Sequence, residues 1–441
     1  MTIAENLQRI TQAKEDLREA INAKGGELAE DARLEEFAEA VEYLPTVEVV
    51  EQAEENDVNF YDYDGTVLYS YNAEEFLAMK EMPNIPKQRG LVCQGWNWEL
   101  SDAKEFVQRH GMLDIGATYI TDDGRTRLYI TVSDKTTKDV QIRCRTASQT
   151  EAITINWGDG SQEDLPNGKV NVFHTYGHSG DYVISFIVPS KSLLHFEGEA
   201  NKFCVMGDYN GQSYKRIGTL KRLELGDRTN IGVHSFDGCY NLEHLTLPTS
   251  ITSISSRAFN CCTSIQCIIF PSSVKSLNDY GTNFCYSLQV VSLPKSIEIV
   301  GAGQYTSSRV KHICLPEGLN SLGTAFFSSC PALYRVTIPL NVTLIGTNAF
   351  NGCYNLSKAL IPAGVKTING TAFYGCRSLA YVDLSQHTNI PTLGNAQVFT
   401  NVNENCKIVV PDALYEELVS ATNWNVYAGM IVKASEYTKP F

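Results

Sequence analysis

"LEHLTLPTSITSISSRAFNCCTSIQCIIFPSSVKSLNDYGTNFCYSLQVVSLP", residues Leu242 to Pro294, repeats one pattern. An apolar triad (Leu242/Leu245/Leu247) runs into Pro248, then two spaced apolar residues follow (Ile251/Ile254), then Phe259 and Cys262. The next triad, Ile265/Ile268/Phe270, runs into Pro271, and Leu288/Val291/Leu293 into Pro294. Outward from this stretch the period holds. The prolines are Pro248, Pro271, Pro294, Pro316, Pro339 and Pro362, with steps of 23, 23, 22, 23 and 23. Further triads are Leu220/Leu223/Leu225, Val310/Ile313/Leu315, Leu333/Val336/Ile338, Leu356/Ala359/Ile361 and Leu379/Val382/Leu384. Self-similarity at such a period marks a solenoid, because one coil cannot bury its apolar face without a neighbour.

A cysteine stands nine residues before most of these prolines: Cys239, Cys262, Cys285, Cys330 and Cys353. Cys376 continues the series nine before Ser385, and Ser307 fills the gap in the 22-residue unit. Phe236, Phe259, Phe327, Phe350 and Phe373 precede their cysteines by three. The chain holds 13 cysteines, an odd number that argues against a disulfide framework. The six periodic thiols are read as a buried, reduced ladder. Cys267 and Cys314 fall on outward strand positions and are expected to be the more reactive thiols.

This pattern resembles the leucine-rich repeats of the BspA type, known from surface proteins of oral and gut bacteria, over residues 220–405. The segment from Cys406 to Tyr437 reads as a last strand and a helix with Leu414, Leu418 and Trp424 turned inward, the cap that a solenoid needs. The outward strand positions form a stripe expected to be concave and exposed: His244 and Thr246, Cys267 and Ile269, Val290 and Ser292, His312 and Cys314, Arg335 and Thr337, Lys358 and Leu360, Tyr381 and Asp383. Its mixed chemistry suits a macromolecular partner, with a merely solvated face as the alternative. The candidate binding residues are His244, Thr246, Ile269, Val290, Ser292, His312, Arg335, Thr337, Lys358, Tyr381 and Asp383. No catalytic set, metal site or cofactor is read from the sequence.

Upstream the chain is multidomain, and its 441 residues allow about three domains. Residues 1–48 read as an α-helical hairpin for attachment and oligomerisation. Ile3, Leu7, Ile10, Leu17 and Ile21 follow heptad spacing, with Lys14 in the remaining seam position. Gly25 and Gly26 end that helix, and Leu34, Phe37, Val41 and Leu44 line a second one. A homo-oligomer through these helices, a trimer being one form, stands beside a purely intramolecular hairpin. The net charge is −14, and residues 1–56 hold 5 Lys/Arg against 15 Asp/Glu. No basic patch would neutralise phosphates, so neither nucleic acid nor an anionic membrane is an expected partner. No stretch approaches the roughly 20 apolar residues of a membrane-spanning helix, so no membrane insertion is expected. The polar, acidic start does not read as a secretory signal.

Residues 57–132 read as a small α+β module. "VNFYDYDGTVLYSY" gives a hairpin, Asn72 to Glu75 a capping box, Asp102 to His110 a helix closed by Gly111, and "ATYITDDGRTRLYITV" a second hairpin turning at Asp123-Gly124. Asp62-Tyr63-Asp64-Gly65-Thr66 resembles the nucleophile loop of haloacid-dehalogenase-type phosphatases, which would make Asp62 the nucleophile and Asp64 the acid. That family needs further acidic residues on parallel strands of a βαβ series, and "TDDG" at 121–124 sits in the expected hairpin. The loop is therefore read as a tight turn. Trp96 and Trp98 are read as core, with sugar stacking as the alternative.

Residues 133–198 read as a β-sandwich. Trp157-Gly158-Asp159-Gly160-Ser161, then His174 and Tyr176, then Gly180, Tyr182 and Ile184 resemble the polycystic-kidney-disease (PKD) type of domain, a rigid spacer or adhesion module. His174 and His178 lack a third ligand, and His174 is expected to pin the turn. The N-terminal segment and residues 57–132 resemble the start of tail-associated proteins of phages and prophages of gut bacteria. The leading expectation is a non-catalytic phage tail fibre or receptor-binding protein, located in the virion. It would contact other tail or baseplate proteins and a host cell-surface protein or glycan. The alternative is a BspA-type adhesin or interaction module at the bacterial cell surface.

Overall fold

The computed structural model describes residues 57–133, 139–147, 152–189, 194–196, 220–227 and 229–438; the helical hairpin expected over 1–48 lies outside them. Among the described residues, no helix is long and apolar enough to cross a membrane. The first unit is a four-stranded sheet of β1 (Val58–Tyr61), β2 (Val67–Tyr71), β3 (Leu91–Trp96) and β4 (Leu113–Thr121), in the order β2-β1-β4-β3. β1 and β2 form the expected hairpin, with Gly65 at φ 91° in its turn. Two helices follow from local signals. In α1 (Ala73–Ala78) the Asn72 side chain accepts from the Glu75 N–H and the Glu75 carboxylate accepts from the Asn72 N–H. α2 (Leu100–His110) ends on Gly111, whose φ of 71° is open to glycine at no steric cost. Phe76, Ala103, Phe106 and Val107 bury the helices on β1 and β4.

The second expected hairpin does not form. β4 is buried along almost its whole length because it pairs with β1 on one side and β3 on the other. With both edges taken, it has none left for the next strand. β5 (Thr126–Val132) instead turns at Gly124 and enters another sheet. That sheet contains β7 (Ile153–Asn156), β8 (Gln162–Leu165), β10 (Gly180–Ile187), β12 (Leu220–Glu224) and β14 (His244–Thr246), in the order β14-β12-β5-β10-β7-β8. A second sheet, in the order β13-β11-β6-β9, is built from β6 (Asp139–Thr146), β9 (Gly168–Thr175), β11 (Leu194–Phe196) and β13 (Thr229–Ile231). Leu128, Ile130, Ile155, Ile184 and Phe186 from the first meet Ile142, Cys144, Val170 and Phe196 from the second in one core. β12 and β14 already belong to the repeats, so this two-sheet unit and the solenoid share a sheet and a continuous apolar interior.

The turn singled out by sequence closes on itself. The Tyr176 hydroxyl donates to the Trp157 carbonyl at 2.7 Å. His174 stacks on Trp157 with ring centroids 4.7 Å apart, and its Nε2 lies 2.7 Å from the Asp159 carboxylate. Burial would raise the Asp159 pKa, but the Ser161 hydroxyl and N–H and the His174 ring hold it at about 2.

Each coil then adds a short outward-facing strand, beginning with β14 and continuing with Cys267–Ile269, Val290–Ser292, His312–Cys314, Arg335–Thr337, Lys358–Leu360 and Tyr381–Asp383. Neighbours pair in parallel, in register: Ile268 with Val291, Ile313 with Val336, Ala359 with Val382. Leu245, Ile268, Val291, Ile313 and Val336 line one interior. The thiol ladder has a defined partner. Cys262, Cys285, Cys353 and Cys376 each donate Sγ–H to the carbonyl of Phe236, Phe259, Phe327 and Phe350 one coil back, at 3.1–3.3 Å. These thiols are fully buried, and burial pushes Cys376 up to about 12. The vacant rung is held by Ser308, not Ser307: Ser308 is buried with its hydroxyl 3.4 Å from Cys330 Sγ. The one-residue deletion therefore lies between Ser308 and Pro316.

The stack is closed by Lys407–Val410, a short helix α3 (Tyr415–Ser420) and a final parallel strand, Ile431–Lys433. Trp424 is buried under the last coil and donates Nε1–H to the Pro391 carbonyl at 2.8 Å. Leu418 turns inward as expected, whereas Leu414 is only half-buried.

Candidate functional site: the outward stripe and its cover

Along each repeat strand the middle residue points into the core and its neighbours point outward, the alternation that pleated backbone imposes. The outward stripe exists, but its first four coils are not open. β4 of the α+β module crosses the strands His244–Thr246, Cys267–Ile269, Val290–Ser292 and His312–Cys314. Thr246, Ile269 and Ser292, expected to be exposed, are buried. Cys267 and Cys314 are buried too, and burial raises both thiols well above their ordinary value, the reverse of the expected reactivity. Val290 packs beside Tyr61, Cys267 and Ile269. His244 meets the ring of Tyr63 edge-on, with centroids 6.5 Å apart.

The seam between module and stripe is specific. The Asn97 amide donates to the Phe270 carbonyl at 3.0 Å and to Ser292 Oγ at 2.9 Å, while its oxygen accepts from the Gly116 N–H at 2.8 Å. Ser292 Oγ donates to the Asp114 carbonyl at 2.7 Å. Trp98 Nε1–H donates to the Leu293 carbonyl at 2.9 Å, so this tryptophan is core and its polar tip is satisfied. His312 lies 2.9 Å from the buried Asp114 carboxylate, and His110 2.5 Å from Glu317. Gly116 meets Ile269 so closely that an added Cβ would lie 2.2 Å from its Cγ2. A buried polar network of this kind fixes one docking geometry, because a shift would strand desolvated donors and acceptors.

Asp62 belongs to the same edge of the module. Its buried carboxylate accepts from the Tyr63 N–H at 2.8 Å and from the Gln88 amide at 2.5 Å, and burial raises its pKa. The Asp64 carboxylate accepts from the Thr66 N–H at 2.9 Å, inside the hairpin turn.

Beyond His312 the stripe opens. Arg335 reaches the α2 terminus, with Nη2 3.5 Å from the His110 carbonyl and Nη1 3.7 Å from Asp57. Thr337 is half-buried, and its hydroxyl accepts from the Leu315 N–H. Lys358 and Leu360 are exposed, and Asp383 is half-buried. Tyr381 is covered by Tyr437, which stacks on it at 5.5 Å. Between Arg109 on α2 and these coils lies a cleft of about 660 Å³, floored by Val336, Leu340, Leu360 and Pro362. Of the candidate residues, the structure gathers Arg335, Thr337, Lys358 and Asp383 around this cleft and assigns Thr246, Ile269, Ser292 and His312 to the internal seam. The cover itself left one trace in sequence. Four of the eight outward residues of the early coils (Cys267, Ile269, Val290, Cys314) are weakly polar or apolar, whereas Arg335, Lys358 and Asp383 are charged; His244, Thr246, Ser292 and His312 are polar and gave no such sign.

The C-terminal half is thus a β-solenoid of the leucine-rich-repeat type. Residues 211–334 and 326–418 match the family model described as BspA type leucine rich repeat region, in six copies. A search of curated proteins gave no match. Among solved structures, the chain is similar to a leucine rich repeat protein from T. pallidum, at 24% identity over 47% of this chain and 89% of the other, with a TM-score of 0.31. It is also similar to a leucine-rich repeat protein from Bacteroides ovatus, at 20% identity, 44% and 73% coverage and TM-score 0.24. A third likeness is to a leucine rich cell surface protein from Faecalibacterium prausnitzii, at 15% identity, 51% and 92% coverage and TM-score 0.21.

Proposed function

We propose that this protein is a non-catalytic attachment protein of the BspA adhesin kind, acting at the bacterial cell surface and holding a cell-surface protein or glycan. The observation that carries this reading is the six-copy match to BspA-type repeats across residues 211–418. The two-sheet unit, with its PKD-like turn at Trp157 to Ser161, serves as a stiff spacer, since it shares a sheet with the first coils. The Asp62–Gly65 loop serves as a turn and not as a phosphoryl acceptor. Its carboxylate is committed to Tyr63 and Gln88. An Asp62→Asn variant that abolished a measurable phosphatase activity would reverse that assignment.

The test is adhesion. Fluorescent full-length protein is added to a panel of gut and oral bacterial and epithelial cells and read by flow cytometry. Saturable binding that unlabelled protein displaces supports the proposal, and a flat response across the panel refutes it. A second reading, a phage tail fibre carried on the virion, rests on the resemblance of residues 1–25 and 57–132 to tail-associated proteins. Tail and baseplate genes beside this one, and antibody to this chain decorating phage tails in electron micrographs, would move the protein from cell wall to virion. Wall-anchoring neighbours would keep it at the surface.

A further inference from the structure

The cleft beyond the module edge is the part of the stripe that remains open. Its dimensions follow from the strand stack. Three neighbouring strands, carrying Arg335, Lys358 and Tyr381, span about 10 Å at the usual strand spacing. α2 stands at one side and Tyr437 covers the coil at the other. That width admits one extended chain and excludes a broad protein face. The floor is aliphatic, and two of its side chains are strongly exposed, Leu360 at 52% and Leu340 at 63%. Cations stand around it: Arg109, Arg335 and Lys358, against the single carboxylate of Asp383. Arg109 is paired with Glu105, and Arg335 with Asp57 and the α2 carbonyl end, whereas Lys358 is exposed beside Leu360 with no ion-pair partner among the described residues. Lys358 thus leaves one exposed cation above an apolar floor in a chain of net charge −14.

We infer that this cleft binds an extended acidic peptide segment of a partner protein. Its apolar side chains would rest on Leu360, Leu340 and Pro362, and its carboxylates would meet Lys358 and Arg335. Alternation in an extended chain places every second side chain on one face, which matches an apolar floor under a charged rim. A glycan fits less well, because the described lining holds no Phe, Tyr or Trp ring for a sugar to stack on. This inference rests on the attachment reading and names its contact point.

The probe is a fluorescein-tagged ten-residue peptide of alternating Glu and Leu, titrated into the full chain by fluorescence anisotropy. An alternating Lys–Leu peptide and a sulfated oligosaccharide serve as comparisons. Lys358→Glu and Leu360→Ser alter exposed side chains, and unchanged melting temperatures show that the variants remain folded. Saturable binding of the Glu–Leu peptide, weakened by about tenfold or more in each variant, is the expected result. Absence of binding, equal binding by the variants, or Lys358-dependent binding of the oligosaccharide alone would overturn it. The two proposals fail separately. Cell adhesion that both variants retain in full removes the cleft and leaves the attachment reading, while peptide binding by a protein that adheres to no cell removes the attachment reading alone.

Discussion

Cys267 and Cys314 occupy strand positions whose direction was legible in the sequence, and both do point out of the solenoid. What the sequence did not disclose was that another part of the same chain lies on top of them, because the covering residues are some 150–200 positions away and share no pattern with the repeats. The chemistry follows the cover. In the native full chain, Ellman's reagent should modify Cys93, which is exposed, and spare Cys267 and Cys314 until denaturant is added. Cys93→Ser should remove one thiol from the fast phase, and Cys267→Ser none; a fast phase that loses a thiol in Cys267→Ser would show the cover to be absent. Gly116 is the residue on which the seam turns. Gly116→Ala should cost about 1–3 kcal/mol in urea denaturation, the usual range for overfilling a packed contact. Adding Ile269→Ala should recover part of that loss, because the two side chains compete for one space.

At the scale of one coil, the triads, prolines and cysteines fixed the strand, its inward face and the ladder, since each is a side-chain property. The backbone of the turn was not legible. Seven successive coils each use two residues with left-handed φ, and four of these fourteen are glycine. His234, Arg257, Tyr280, Gly303, Ala325, Asn348 and Thr371 form one series, and Gly238, Cys261, Phe284, Ser307, Ser329, Gly352 and Gly375 the other. The first series repeats no residue type, and the second mixes three glycines with Cys261, Phe284, Ser307 and Ser329, so composition gave little sign of a shared conformation. The same series explain why Ser308 and not Ser307 stands on the ladder: Ser307 is committed to a left-handed site. An alanine at φ 54° is strained by its Cβ. Ala325→Gly should therefore raise stability by ~0.5–1 kcal/mol after the entropic penalty of glycine is subtracted, read as a higher urea midpoint at unchanged slope. A lower midpoint would show that the site carries no strain.

From residue 57 onward the described chain is more integrated than a string of separate modules. β5, read from sequence as the second arm of a hairpin, is the strand that joins the two-sheet unit to the repeats, and the apolar interior runs unbroken from Leu128 to Ile431. Unfolding should reflect this. In hydrogen exchange under graded urea, peptides from β5 and from Lys407–Val410 should lose protection together; well-separated midpoints would mean that the sandwich-like unit and the coils are independent. The sequence showed a repeat array and could not show this junction, because β12 obeys the repeat pattern on one face and completes a foreign sheet at its edge.

The bridge of β4 across four coils also divides the array into two kinds of unit. Upstream of His312, the outward residues must match an internal template, so a gained or lost coil would throw Asn97, Trp98 and Gly116 out of step with their counterparts. Downstream of Arg335, one coil is interchangeable with the next apart from what it offers to the cleft. Relatives of different length are thus expected to differ by whole units near the carboxyl end, where the molecule can grow without disturbing its own clasp.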